Sequence, residues 1–158
     1  MGWFTSKARD LGELPAISDP SHRWGNAKGR RGGAPLLMRF NQSAKEWCAH
    51  PGLPAKLSFV VSFLKPNPGG MPDAEELKQL DELEDTILRE VESATIGLHA
   101  LVLTNGVMKE LIFYIPVPKG VDIKTIHARV AAALPTHNIE CTVVNEPKWD
   151  SYQVFGLK

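Results

Sequence analysis

Between Asp73 and Ser93 the chain reads DAEELKQLDELEDTILREVES, and Leu77, Leu80, Ile87, Leu88 and Val91 recur at helical spacing. That spacing predicts a helix with one apolar stripe. Asp73 stands where an N-cap belongs, and Glu76, three residues on, completes a capping box. One residue breaks the stripe. Glu84 follows Leu80 by four and precedes Ile87 by three, so its carboxylate points among the apolar side chains.

Alternation with a period of two marks the strands. From Lys56 to Lys65, Leu57, Phe59, Val61 and Phe63 fall on one face, and Ser58, Val60, Ser62 and Leu64 on the other. Pro66-Asn-Pro-Gly-Gly then separates this strand from the acidic helix. Ile96 to Thr104 is a second strand, and Asn105-Gly106 predicts a two-residue hairpin turn. The return strand, Lys109 to Val117, puts Leu111, Phe113, Ile115 and Val117 on one face and Glu110, Ile112 and Tyr114 on the other. Asp122 caps a second helix, Ile123 to Leu134, and Ile139, Cys141 and Val143 alternate in a last strand. Upstream, Trp24 to Asn41 reads as a hairpin turning within Gly29 to Gly33, and Ser43 to His50 as a short helix carrying Trp47. In the tail, Trp149, Tyr152 and Phe155 lie three apart, as on one helical turn packed against the body.

From Lys56 onward the order is strand, helix, strand, strand, helix, strand. The fold expected is α+β: a ferredoxin-like split βαβ unit preceded by an N-terminal β-hairpin. Residues 1–22 read as a flexible arm with a few anchoring apolar residues, and residues 23–158 as a single domain. The sheet face bearing Val60, Leu64, Ile112, Tyr114 and Val144 needs a cover. Either Trp24 to Asn41 or a second copy in a homodimer would supply it.

Charge adds polarity to this outline. The 158 residues carry no formal net charge, which argues against nucleic acid as a partner. Met1 to Lys56 nevertheless holds nine Lys/Arg against four acids, and Asp73 to Glu92 holds nine acids against two bases. Asp81, Glu82, Asp85 and Glu92 lie opposite the leucine stripe, where they would present an acidic surface to a basic partner. Cys48 and Cys141 stand apart, with no CxxC, which suits free thiols in the cytoplasm. No apolar run reaches membrane-spanning length, and MGWFTSKARD has no signal-peptide core.

Candidate chemistry is sparse. No HExxH, GxSxG, GxGxxG or Walker sequence occurs, and the five histidines lack metal-ligand spacing, so neither a metal nor a cofactor is expected. Glu84 and His127 are the polar residues on otherwise apolar helix stripes. Lys109 shares the core-facing parity of Leu111 and Phe113. Glu84, Lys109 and His127 therefore form a candidate polar cluster, either a buried structural arrangement or an acid–base site. Lys109 is the expected partner of Glu84, because a permanent cation compensates a buried carboxylate.

Several of these features occur together in a recognisable order: Leu83-Glu84-Asp85, Asn105-Gly106, Lys109-Glu110-Leu-Ile-Phe-Tyr114, then Glu146-Pro147-Lys148-Trp149 with Tyr152 and Phe155. From about Trp24 to Phe155 the chain resembles a bacterial family catalogued as domain of unknown function 695. The resemblance implies Asp where Glu146 stands and Arg where Lys109 stands; both differences keep charge, but Lys loses the bidentate geometry of Arg. The family is similar in pattern to the regulator of ribonuclease activity B, a ferredoxin-like inhibitor of an endoribonuclease. This similarity implies a protein partner. The function expected is a non-catalytic interaction or regulatory domain, with Ile112 and Tyr114 on its apolar surface. The alternative is a small-molecule-binding protein or enzyme using Glu84, His127 and Lys109.

Overall fold

The computed structural model describes residues 13–155, and over them six strands and three α-helices alternate much as the periodicities require. The N-terminal hairpin is β1 (Trp24–Arg31) and β2 (Ala34–Asn41). Its turn is Gly32-Gly33, and both residues have positive φ (60° and 83°), a conformation glycine takes without penalty. A 3-10 helix, Gln42–Trp47, follows. Then come β3 (Ala55–Ser62), α1 (Ala74–Ala94), β4 (Leu98–Thr104) and β5 (Met108–Ile115). The chain continues with α2 (Ile123–Ala133), β6 (Ile139–Asn145) and α3 (Asp150–Phe155). The architecture is α+β. One six-stranded sheet has the order β1-β2-β4-β5-β3-β6, with every neighbouring pair antiparallel.

Two cores lie on the two faces of the sheet. On one face α1 and α2 pack Leu80, Leu83, Ile87, Val91, Ile126 and Val130 against Leu57, Phe59, Val61, Leu111 and Phe113. No residue of β1 or β2 belongs to this core. The sheet is therefore two strands wider than its helix layer: the hairpin extends the sheet at its edge rather than folding over its other face as the expected cover.

The other face is covered by the chain itself. Trp47 and Leu53 from the segment after the hairpin, and Trp149 and Tyr152 from the C-terminal end, pack with Leu36 over Leu101, Ile112 and Tyr114. The Trp149 ring stacks on Tyr114 at 4.0 Å and 7°, and its Nε1 donates to the Leu53 carbonyl at 2.9 Å. The Tyr152 hydroxyl donates to the Asn41 carbonyl at 2.6 Å. Ile112 and Tyr114 were expected to offer an interaction surface. They are 2% and 0% exposed and are core residues instead. Of the face expected to need a cover, only the β3–β6 side stays open, where Val60 is half-buried and Leu64 and Val144 are exposed.

Three local expectations change. Neither Asn105 nor Gly106 has positive φ; Asn105 and Met108 bracket the turn, and the Asn105 side chain accepts from the Val107 and Met108 amides. Gly106 is needed for space, because a Cβ there would collide with the backbone oxygens of Asn67 and Gly70. The capping box is half-formed: Asp73 accepts from the Glu76 amide, but the Glu76 carboxylate accepts from the Leu64 and Lys65 amides and meets His137 Nε2 at 2.6 Å. The arm is anchored over its described part. Ile17 is buried, the Pro15 carbonyl accepts from Gly97, and the Ser18 amide donates to Glu92. The expected mobility of residues 1–12 lies outside the described residues, as does the end of the domain at 156–158. No helix among the described residues is long and apolar enough to cross a membrane.

Candidate functional site

The apolar stripe of α1 seats that helix on the sheet, and the same register drives Glu84 inward toward β5 and β2. Lys109, near the start of β5, faces the helix layer and is 2% exposed. Its Nζ lies 2.9 Å from Glu84 Oε1 and 2.8 Å from Asp81 Oδ1. Arg39, on β2 opposite Val102, adds a second cation, with NH2 2.6 Å from Glu84 Oε2 and NH1 3.4 Å from Oε1. Burial pushes the Glu84 carboxyl up, but the Arg39 hydrogen bond and the Lys109 and Arg39 charges outweigh it and hold the pKa below the ordinary carboxylate value. Two anions and two cations thus form one neutral cluster. A carboxylate gripped in this way is a poor proton acceptor, and its geometry is that of a fixed charge.

The structure brings Glu84 and Lys109 together as expected and leaves His127 out. His127 Nε2 lies 2.6 Å from the Ile139 carbonyl, so α2 uses its histidine to hold β6 rather than to meet α1. Arg39 was not anticipated. Among the acids, Asp81, Glu82, Asp85 and Glu92 are all exposed on α1, with Asp81 committed to Lys109 and Glu92 to the Ser18 amide. Ile112 and Tyr114 are not part of the site. Tyr114 instead donates to Glu146 at 2.5 Å beneath α3, and Glu146 also receives Ser151.

The extra width of the sheet leaves a trough beside α1. Its larger part is a cavity of about 510 Å³, with Leu37, Leu77 and Val102 among its apolar walls and Lys28, Arg39 and Lys109 among its polar ones. A second cavity of about 330 Å³ lies between the anchored arm and the sheet, lined by Ile17, Pro20, Trp24, Leu88, Glu84 and His99 among others. Arg39 lines both, with its guanidinium 5.4 Å from the Trp24 ring centre.

His99 reaches this side through a bulge. The register shifts between His99 and Leu101, so His99 faces Phe113 and Val102 faces Leu111, three positions along β4 against two along β5. The His99 ring stacks on Phe113 at 4.6 Å and 23° and lies 4.9 Å from Trp24. Burial drives its pKa down to about 3, so the imidazole is neutral near pH 7. The sequence signal was present, since His99 is the one ionisable residue in the run Leu98–Thr104.

Cys48 and Cys141 are half-buried free thiols, both pushed up by burial, Cys141 to about 11. Among the described residues no three His, Cys, Asp or Glu side chains are grouped to hold a metal ion. No curated protein and no solved structure matches the chain. The model of a family of unknown function, DUF695, matches residues 22–156, and the chain belongs to that family.

Proposed function

We propose that this chain is a ferredoxin-like, non-catalytic binding domain of the bacterial cytoplasm whose trough takes a small amphipathic anion. The order β4-β5-β3-β6, with α1 and α2 as the crossovers, supports the ferredoxin-like reading. The observation that carries the ligand is the sheet running two strands beyond its helix layer. It leaves a concavity of about 510 Å³, within the range of small-molecule sites. Arg39 and Lys109 are balanced by Glu84 and Asp81, so Lys28 supplies the surplus positive charge at the rim. Leu37, Leu77 and Val102 suit an apolar tail. Glu84 and Lys109 position Arg39 in this reading and transfer no proton.

Octanoate is a direct probe. Added to the labelled protein at pH 7, it should move the amide resonances of Leu37, Leu77 and Val102. Lys28→Glu should weaken it roughly tenfold, about 1.4 kcal/mol, as an exposed attraction of about 0.7 kcal/mol becomes a repulsion of similar size. Octanol binding as tightly as octanoate, or no movement along the trough, would end this reading.

A protein partner is the second reading, favoured by the exposed Glu82 and Asp85 beside the leucine stripe of α1. The similarity in pattern to the regulator of ribonuclease activity B supports it by analogy. Proteins captured from the host on the immobilised chain at low salt should be lost from Glu82→Lys/Asp85→Lys and released as salt rises. An unchanged set on that variant would remove this surface from consideration.

A further inference from the structure

We infer that the free edge of β1 is a docking strand for an extended acidic peptide, which joins the sheet as a further antiparallel strand. Among the described residues β1 pairs with β2 alone, over all 8 of its positions, with neither a bulge nor a proline in it. The alternation of the ladder fixes which backbone groups are left over. Gly32-Gly33 makes a two-residue turn, so Arg31 and Ala34 exchange hydrogen bonds, and every second pair along the hairpin does the same. Two observations agree with this phase. Pro35, which has no N–H, lies opposite Arg30, and the Arg23 carbonyl accepts from the Gln42 amide. The N–H and C=O groups of Trp24, Asn26, Lys28 and Arg30 therefore point away from β2, and all four residues are exposed.

The side chains decide what such a strand must carry. Charges of one sign along an edge keep a second copy of β1 away, because like charges would face each other across the seam. The same charges favour an acidic strand, held by main-chain hydrogen bonds and sorted by its side chains. Lys28 has no ion-pair partner among the described residues, and Arg30 spends one N–H on the Gly33 carbonyl at 2.6 Å. Both lie on the face of the hairpin that carries Leu37 and Arg39. On the other face Gly25, Ala27 and Gly29 are small, and side chains of β2 spread over them. A Cβ on Gly25 would meet the Phe40 ring at 2.7 Å, and one on Gly29 the Met38 methyl at 3.3 Å. Phe40 and Met38, both half-buried, thus carry an apolar shelf out to the edge. The strand that fits alternates, with acids opposite Lys28 and Arg30 and apolar residues opposite Ala27 and Gly29. This edge is the outer side of the trough's rim, and what pairs with it does not depend on what the trough holds.

The probe is the blocked peptide acetyl-Glu-Val-Glu-Val-Thr-Val-Thr-amide, followed by amide resonances and hydrogen exchange of the full chain at pH 7. It should slow exchange at Asn26, Lys28 and Arg30. Its second Glu lies opposite Lys28, with its amide facing β1, and a methyl group on that nitrogen should weaken binding by about tenfold or more. A methyl group on the preceding Val nitrogen, which faces solvent, should cost less than about twofold. Lys28→Glu/Arg30→Glu should lose this peptide and take its counterpart with Lys in place of Glu. No slowing at the edge amides, equal effects of the two methyl groups, or binding unchanged by the charge reversal would each overturn the proposal. Edge amides already slow before any peptide is added would overturn it as well. Protection that grows with protein concentration would give the edge to a second copy, and protection independent of concentration would give it to the chain's own residues.

Discussion

Replacing Arg39 and Lys109 together with methionine should cost about 3–5 kcal/mol of folding stability, the range for stripping the partners from a buried charge. Glu84 has a side chain only 10% exposed, and these two residues hold its oxygens. Each single replacement should cost less. Lys109→Met leaves the Arg39 fork in place, and Arg39→Met removes a side chain that is 40% exposed and partly screened by water. Glu84→Gln should fall between, at about 1–3 kcal/mol, because Lys109 keeps Asp81. Adding Glu84→Leu to the double variant should recover much of the loss, since apolar replacement of a whole buried ion set is often tolerated. Urea unfolding at pH 7 measures all of these. A double variant no less stable than the worse single one would mean that the carboxylate finds water, and the cluster would lose its role in seating α1.

That cluster was half visible in the sequence. The helical period places Glu84 in the stripe, and the strand period places Lys109 on the core side; both are local patterns. Arg39 could not be reached in this way. It meets Glu84 because β2 lies beside β4, a pairing between segments about 60 residues apart that no local period encodes. The same gap explains His127. Its place on the stripe of α2 was legible, but whether an imidazole on that stripe faces the other helix or the neighbouring strand depends on how the helix sits. Here it caps the Ile139 carbonyl.

Element types were legible nearly throughout, because long apolar periods bounded by Pro and Gly leave few alternatives. What covers the Ile112–Tyr114 face was not. The spacing of the aromatic tail predicts a turn packed on the body but not its target, and that target makes Ile112 and Tyr114 core residues rather than surface. The trough was also hidden. It is a difference between the width of a sheet and the width of a helix layer, and only strand order reveals it. His99 was concealed by the bulge, which moves it to the helix side against the simple alternation of its strand.

His99 should also give the chain much of its sensitivity to mild acid. Its pKa in the folded protein is about 3, whereas an unfolded histidine titrates near 6.5. Between these values the unfolded chain binds a proton that the folded chain does not, so acid favours unfolding, and stability falls as pH drops from about 6.5 toward 3. The cause is mainly burial. Glu84 on α1 opposes the shift, while Arg39 on β2, Lys109 on β5 and His22 before β1 reinforce it. From pH 7 to pH 5 this single group should remove about 2 kcal/mol, at 1.36 kcal/mol per unit below 6.5. The buried carboxylates act in a separate window. Glu84 has its folded pKa below the ordinary value, so its contribution is intact above about 4.5 and is lost only as pH falls through the lower folded value. His99→Phe should therefore be at least as stable as the unmodified chain at pH 7, because a buried polar atom without a partner is removed while the stack on Phe113 is kept. Between pH 7 and 5 it should lose about 2 kcal/mol less. Urea midpoints at the two pH values decide the matter. A variant whose midpoint falls in parallel with that of the unmodified chain would mean that His99 takes up its proton without unfolding, and that water already reaches Nε2.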